Sequence, residues 1–452
     1  MIKKIANTIA CSMLAAVVAA GCGGGAGQSG QSGQSAQPAQ PDTAQKQQEQ
    51  PKQPPAPAKP VTITFYPQIV ITDDDFQQIF YNPITKMYPN ITPVLIKKGK
   101  GTMLNDLMAA NDTPDVLITW NGRLLPYDSD GLLADMTADM QKEQIDLNRF
   151  EPTTIQAIKM ASDKGEMYGL PWAVQFDALY YNKDIFDKFG VPYPKDGMTW
   201  DDTIELSKKV SRSEGAANYL GFDPQAMERL SYSYSLASVD AKTNKSIVNN
   251  EAWRKIFELG KKIYDVPGNK PPKYFTGGND LFMKDRVLAM MPAVNLIPRL
   301  QELADQGNPM NWDLVQFPSF ADKPNVYENN THLLAVTKTS KNRQAAIEAL
   351  KAVTSEEAQT ISSRKTARLT PLKNAQITAV FGADIPTLKG KHVEGIFKSK
   401  PGEALLMSDY LADAQDILDK QFTEYMKGTD INTALRTADE NINKMIAKDQ
   451  AK

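Results

Sequence analysis

Apolar positions recur with two periods along this chain, and the two periods separate strand-forming from helix-forming stretches. Val61-Thr-Ile-Thr-Phe65 alternates apolar and polar residues, which predicts a half-buried strand. Val94-Leu-Ile96 and Asp115-Val-Leu-Ile-Thr119 are short apolar runs between turn residues, the pattern of inner strands in a parallel sheet. Between them Leu104, Leu107 and Met108 keep helical spacing. Strands alternating with helices predict an α/β layer. Thr199-Trp-Asp-Asp202 opens another helix, with Thr199 as cap, Asp202 at the positive end, and Lys208 and Lys209 toward the negative end. Ala346, Leu350 and Val353 mark a later helix. Leu411, Ala414, Leu418, Phe422 and Tyr425, then Ile431, Leu435, Ala438, Ile442 and Met445, predict a helical tail.

The N-terminal pattern is different. An apolar run, Ile5 to Ala20, follows Lys3 and Lys4; it falls short of the roughly 20 residues of a bilayer span, and Asn7, Thr8 and Ser12 interrupt it. It ends in Ala15-Ala-Val-Val-Ala-Ala-Gly-Cys22, which resembles the lipobox of bacterial lipoproteins, with Ala19 where Leu is usual. The resemblance implies a signal peptide over 1–21 and a diacylglyceryl group on Cys22, anchoring the chain at the extracellular face of the cell membrane. Two acyl chains hold stably where one alone binds weakly. A membrane-spanning helix, or a plain secretory signal cleaved near Ala20, is the alternative. Residues 22–60 combine Cys22 with a Gly, Ser, Gln and Pro stretch that has almost nothing to bury, which predicts a disordered stalk.

Residues 61–452 suffice for two domains. Lys3 and Lys4 leave with the signal, so the chain's 51 basic and 53 acidic side chains become 49 and 53, and no basic stripe suggests a nucleic-acid partner. Cys11 lies in the signal and Cys22 is the lipid acceptor, so the body has no thiol and holds together by its core.

From Tyr168 to Val191 the chain reads Tyr-Gly-Leu-Pro-Trp-Ala-Val-Gln-Phe-Asp-Ala-Leu-Tyr-Tyr-Asn-Lys-Asp-Ile-Phe-Asp-Lys-Phe-Gly-Val, and it continues through Pro192, Pro194 and the Thr199 cap. This resembles the signature of family 1 extracellular solute-binding proteins, the capturing lipoproteins of ABC importers for sugars. Asn111–Val116, Asp130–Asp135, Phe282–Met291, Trp312–Pro318, Ser340–Gln359 and Arg368–Pro371 resemble further family segments in order. The resemblance implies an α/β fold of periplasmic-binding-protein type, with two lobes joined by hinge crossings near Ala173, Glu328 and Pro371. Lobe 1 would comprise 61–173 and 328–371, and lobe 2 174–327 and 372–452. It also implies a monomer that needs no cofactor, captures a carbohydrate such as an oligosaccharide by lobe closure, and delivers it to an ABC permease. A sensor or scaffold lipoprotein and, from its many carboxylates, a glycoside hydrolase are the alternatives.

Sugar capture needs aromatic faces for C–H surfaces and a hydrogen-bond partner for every buried hydroxyl. Strand carboxyl ends are where such groups belong in open α/β sheets. Tyr66 and Gln68 follow the first strand; Trp120 and Asn121 follow Asp115–Thr119. Trp172, Gln175 and Asp177 lie at the first crossing, where Trp172 either meets ligand or wedges the hinge. Asn295 stands in Pro292–Leu296, where relatives often carry a Gly-Trp loop; Phe222, Asp223 and Tyr232 are the candidates to compensate. Asn329, Asn330 and Arg368 adjoin the later crossings. Trp200, Trp253, Trp312 and the Tyr180-Tyr181 pair read as packing residues.

Catalytic and metal motifs give nothing comparable. His332 and His392 are the only histidines, without a zinc pattern. Asp128-Ser-Asp-Gly131 lacks the remaining spacing of a calcium loop, and Asp73-Asp-Asp75 reads as a helix start. Gly99-Lys-Gly-Thr102 is not a phosphate loop, and Ser362-Ser-Arg-Lys365 lacks its companion motifs. No metal, cofactor or catalytic residue is expected.

Overall fold

The computed structural model describes residues 59–451; the signal, Cys22 and nearly all of the stalk lie outside them. Ten strands of three or more residues follow in order: β1 (Val61–Pro67), β2 (Ile91–Leu95), β3 (Val116–Trp120), β4 (Leu170–Val174), β5 (Asp177–Asn182), β6 (Arg212–Glu214), β7 (Ala217–Phe222), β8 (Leu288–Val294), β9 (Trp312–Gln316) and β10 (Thr331–Val336). They form two five-stranded sheets, β2-β1-β3-β10-β4 and β9-β5-β8-β7-β6, each with helices packed on it and each with its own apolar core.

Register decides where the functional edge falls. Phe65 of β1 pairs in parallel with Leu95 and Val116, so β1, β2 and β3 end at one edge. β10 runs antiparallel between β3 and β4, setting His332 opposite Trp120 and Thr331 opposite Val174. The carboxyl ends of β3 and β4 therefore meet the start of β10. In the second sheet β7 and β8 are parallel, and Val294, at the end of β8, lies opposite Asp177, where β5 begins. Gln175 and Phe176 are all that separate β4 from β5, so these edges of the two sheets adjoin.

Local rules account for the helices. Thr199 accepts from the Asp202 backbone at 3.1 Å, and Asp202 accepts in return from the Thr199 backbone at 2.9 Å, a closed capping box. Asp73–Asp75 is the first helical turn behind the Thr72 cap. The helices Leu411–Met426 and Ile431–Gln450 bury Ala414, Leu418 and Phe422, then Ala434, Leu435, Ala438 and Ile442. Trp200, Trp253 and Trp312 are buried in the second core. Among the described residues no helix is long and apolar enough to cross a membrane.

One expectation is corrected. Val94–Ile96 was expected to be an inner strand, yet β2 is an edge strand, paired with β1 alone. Its residues alternate between buried and exposed, Val94 is 42% exposed, and Pro93 sits where a missing N–H costs least. β3, paired on both sides and buried along four of its five residues, is the inner strand its composition predicts.

Candidate functional site

Three stretches of backbone lie side by side where the sheets meet. Gln175 donates its N–H to the Asn330 carbonyl at 3.0 Å, and Val174 exchanges hydrogen bonds with Leu369 at 2.8 and 3.1 Å. From the end of β8, Asn295 donates its backbone N–H to Phe176 and its side-chain amide to the Ala367 carbonyl, 2.8 Å away. Backbone hydrogen bonds thus tie the three stretches together at the junction.

On the first-lobe side, Trp120 ends β3 half-buried, its outer ring edge lying over Gly122. Asn121 is clamped: its Oδ1 accepts from Thr331 N at 2.9 Å and its Nδ2 reaches Asn329 O at 3.3 Å. Asn329 donates to the Gly402 carbonyl at 3.3 Å and accepts from the Thr331 hydroxyl at 3.0 Å. Tyr66 is 1% exposed, with its hydroxyl accepting from Leu104 N and Lys98 Nζ 5.5 Å from its ring centroid. Gln68, beyond it, is half-buried.

Trp172 is fully enclosed. Phe80 meets it edge-on at 5.2 Å, and the Arg368 guanidinium lies 5.5 Å above its ring. Arg368 in turn reaches Asp75 at 3.3 Å and the Val70 carbonyl at 3.1 Å. His332 sits 6.0 Å from Trp172; burial and then the charge on Arg368 pull its imidazole down to about 3, so it stays neutral.

The second-lobe side carries buried charge. Arg229, in the short helix Glu228–Ser231 that follows β7, lies 3.2 Å from Asp177 and 3.5 Å from Glu328. Burial raises both carboxyls, Glu328 to about 7, and the guanidinium pulls each the other way. Tyr232 is half-buried with Arg229 5.8 Å from its ring. Phe222 is 1% exposed in the second core, 6.1 Å from Trp200. Asp223 is fully buried; it accepts from Gln225 N at 2.6 Å and from the Tyr264 hydroxyl at 3.1 Å, and burial raises its carboxyl to about 6.

Apart from Gln68, half-buried just beyond β1, the predicted residues fall into two groups. Trp120, Asn121, Gln175, Asp177, Tyr232, Asn295, Asn329 and Asn330 gather around the junction, whereas Trp172, Arg368, Tyr66, Phe222 and Asp223 are held inside or against a single core. Several buried polar atoms around the junction have no protein partner: Gln175 Oε1, Asn295 Oδ1, Asn330 Oδ1 and Arg229 Nε. Buried polar atoms in folded proteins are nearly always satisfied, so these mark where a polar guest or ordered water belongs. Sequence reasoning missed Arg229, in the Glu228-Arg-Leu-Ser231 turn, and the Lys400–Asp409 stretch, which reaches Arg123 through Asp409 and Asn244 through Ser408. Among the described residues no group of three or more His, Cys, Asp or Glu side chains is placed to hold a metal.

Residues 80–387 match the family model of bacterial extracellular solute-binding proteins. The chain belongs to this family. An arabinooligosaccharide-binding protein of Bacillus subtilis (strain 168) is 31% identical over 111 residues, 24% of each chain. Its namesake from Halalkalibacterium halodurans is 43% identical over 51 residues, 11% of each. The chain thus aligns with under a quarter of the length of these relatives. Among solved structures, an ABC substrate-binding protein from Listeria monocytogenes in complex with cycloalternan superposes with a TM-score of 0.68 at 20% identity, covering 86% of this chain and 100% of that one. The sugar-binding protein MalE from Xanthomonas citri gives 0.66 at 16% identity, covering 86% and 98%. This solute-binding protein therefore has the two-lobe fold of those structures, and its named relatives are binding proteins rather than enzymes.

Proposed function

We propose that this solute-binding protein captures an oligosaccharide at the junction of its lobes and hands it, chemically unchanged, to the permease of an ABC importer. The observation that carries the proposal is the convergence on one junction of a half-buried Trp120 with unpartnered polar atoms of Gln175, Asn295 and Asn330. A sugar needs an apolar platform for its C–H face and partners for its hydroxyls, and this junction offers both. The lobes are taken as 61–173 with 328–371 and 174–327 with 372–452, except that Leu372 and Ile377 pack in the first core. Closure then proceeds by hinging at the thin crossings, as in periplasmic binding proteins generally. A relative named for arabinooligosaccharide and a structural neighbour solved in complex with cycloalternan support a saccharide ligand. Lipid on Cys22 and the stalk keep this monomer near its permease.

Calorimetry with arabino-oligosaccharides, malto-oligosaccharides and cycloalternan tests the proposal, with chromatography of the recovered ligand. The expected result is binding near the micromolar range, about −8 kcal/mol, with the saccharide recovered intact. Recovery of cleaved saccharide would make the protein a hydrolase.

A further inference from the structure

We propose that the hairpin tip 240–245 latches the second lobe to the first beside Trp120 and thereby sets how long a captured saccharide is held; this rests on the capture function above. The hairpin pairs Val239 with Ser246 and Asp240 with Lys245. It belongs to the second lobe: Val239 is buried in the second core, and Ser246 donates its backbone N–H to Asn443 of the helix Ile431–Gln450 at 3.0 Å. At its tip, however, Lys242 forms an ion pair with Asp163, whose neighbours Ala161 and Met167 are buried in the first core.

The tip is built to hold that lysine in place. One Asp240 carboxylate oxygen accepts from the backbones of Lys242 and Thr243 at 3.0 and 2.8 Å and from the Thr243 hydroxyl at 2.9 Å. Asn244 closes the turn at a φ of 49°, a left-handed conformation that asparagine tolerates, and donates its N–H to the Asp240 carbonyl at 2.8 Å. An exposed ion pair between two free side chains contributes little, because ordering them offsets the attraction. Here the backbone that carries Lys242 is already ordered, so less is lost when the pair forms.

The same tip is joined to a second bridge. The Asn244 side chain accepts from the Ser408 hydroxyl at 2.9 Å, and the next residue, Asp409, pairs with Arg123 at 3.6 Å. Arg123 lies just beyond β3, beside Leu124 of the first core, whereas Tyr410 packs against the second core. One continuous path thus runs from Asp163 through Lys242, Asn244, Ser408 and Asp409 to Arg123, leaving the first lobe and returning to it. It passes Trp120: a Cβ on Gly122 would meet both the outer ring edge of Trp120 and the sulfur of Met407, two residues before Asp409. Both ion pairs join residues of different lobes, so both break when the lobes part. All four side chains are at least 42% exposed, so dissolved salt screens them.

The test follows saccharide release by stopped-flow tryptophan fluorescence, using an arabino- or malto-oligosaccharide that binds the wild-type protein. Lys242→Glu turns attraction into repulsion and should release the saccharide about two- to fivefold faster, the range for exposed pairs. Adding Asp163→Lys restores opposite charges and should return the wild-type rate. The difference should be largest near about 0.1 M salt and vanish near about 1 M, where the screening length falls from about 10 Å to about 3 Å. Both positions are exposed, so both variants should melt near the wild-type temperature. Equal release rates for wild type and Lys242→Glu, no recovery in the double variant, or an effect that persists at high salt would overturn the latch while leaving capture intact. A wild-type protein that binds neither series would sink the capture reading and this inference together.

Discussion

The two walls of the junction are held by different forces. On the first-lobe wall Asn121 and Asn329 are fixed by neutral hydrogen bonds to backbone, and Trp120 rests half-buried over a glycine. On the second-lobe wall Arg229 holds Asp177 and, at the crossing, Glu328 in a buried triad, and Asp223 is enclosed in the same lobe. Neutral hydrogen bonds contribute about 1 kcal/mol each, whereas an uncompensated buried charge costs several. The first wall can therefore meet a ligand at little cost in stability. The charges of the second wall are already spent on each other, so they hold the junction in shape more than they wait for a guest.

Removing the guanidinium breaks that comparison most sharply. Arg229→Met keeps much of the side-chain stem but leaves Asp177 and Glu328 buried without their counter-charge. It should cost about 3–5 kcal/mol in urea unfolding at neutral pH. Adding Asp177→Asn and Glu328→Gln to that variant should recover most of the loss, because the charges that need pairing are then gone. A loss below about 1 kcal/mol in the single variant would mean that solvent reaches the triad.

Asp223 sharpens the contrast through pH. Burial raises its carboxyl from 3.8 to about 6, so its ionisation works against the folded state. The stability it contributes is complete below about pH 4 and is lost as pH rises through 6. At about 1.4 kcal/mol per pH unit of separation, wild type should lose about 3 kcal/mol across that window relative to Asp223→Asn. Chemical denaturation of both proteins at several pH values reads this directly. Parallel curves would show that the carboxyl is better solvated than its enclosure implies.

What was legible in the sequence was local. The alternation at Val61–Phe65, the Thr199–Asp202 box and the helical spacing of Leu411–Met445 each specify their element within a few residues, and each element formed. The number of neighbours a strand has is not local, which is why β2 and β3 looked alike as short apolar runs although one is an edge. The site divides in the same way. Trp120, Gln175 and Asn295 could be placed because they follow strands, and register carries strand ends to a common edge. Arg229 lies 52 residues from Asp177 and 99 from Glu328, and no spacing rule links such partners. Arg368 was placed at its crossing, but Asp75, 293 residues away, and the ring of Trp172 are what hold it there.

The smallest expected effect is on the first wall, and it separates affinity from stability. Trp120 is half-buried, its ring edge borders Met407, and β3 is already anchored by pairing on both sides. Trp120→Ala should therefore weaken saccharide binding at least tenfold, about 1.4 kcal/mol, while the protein stays folded with little change in melting temperature. Arg229→Met should show the reverse balance, losing far more stability than Trp120→Ala does. If Trp120→Ala lowered the melting point as steeply as Arg229→Met, or left affinity unchanged, the ring would be a structural wedge. The first wall would then have no platform, and the burden of recognition would pass to the amides of Gln175, Asn295 and Asn330, whose unpartnered oxygens already face burial.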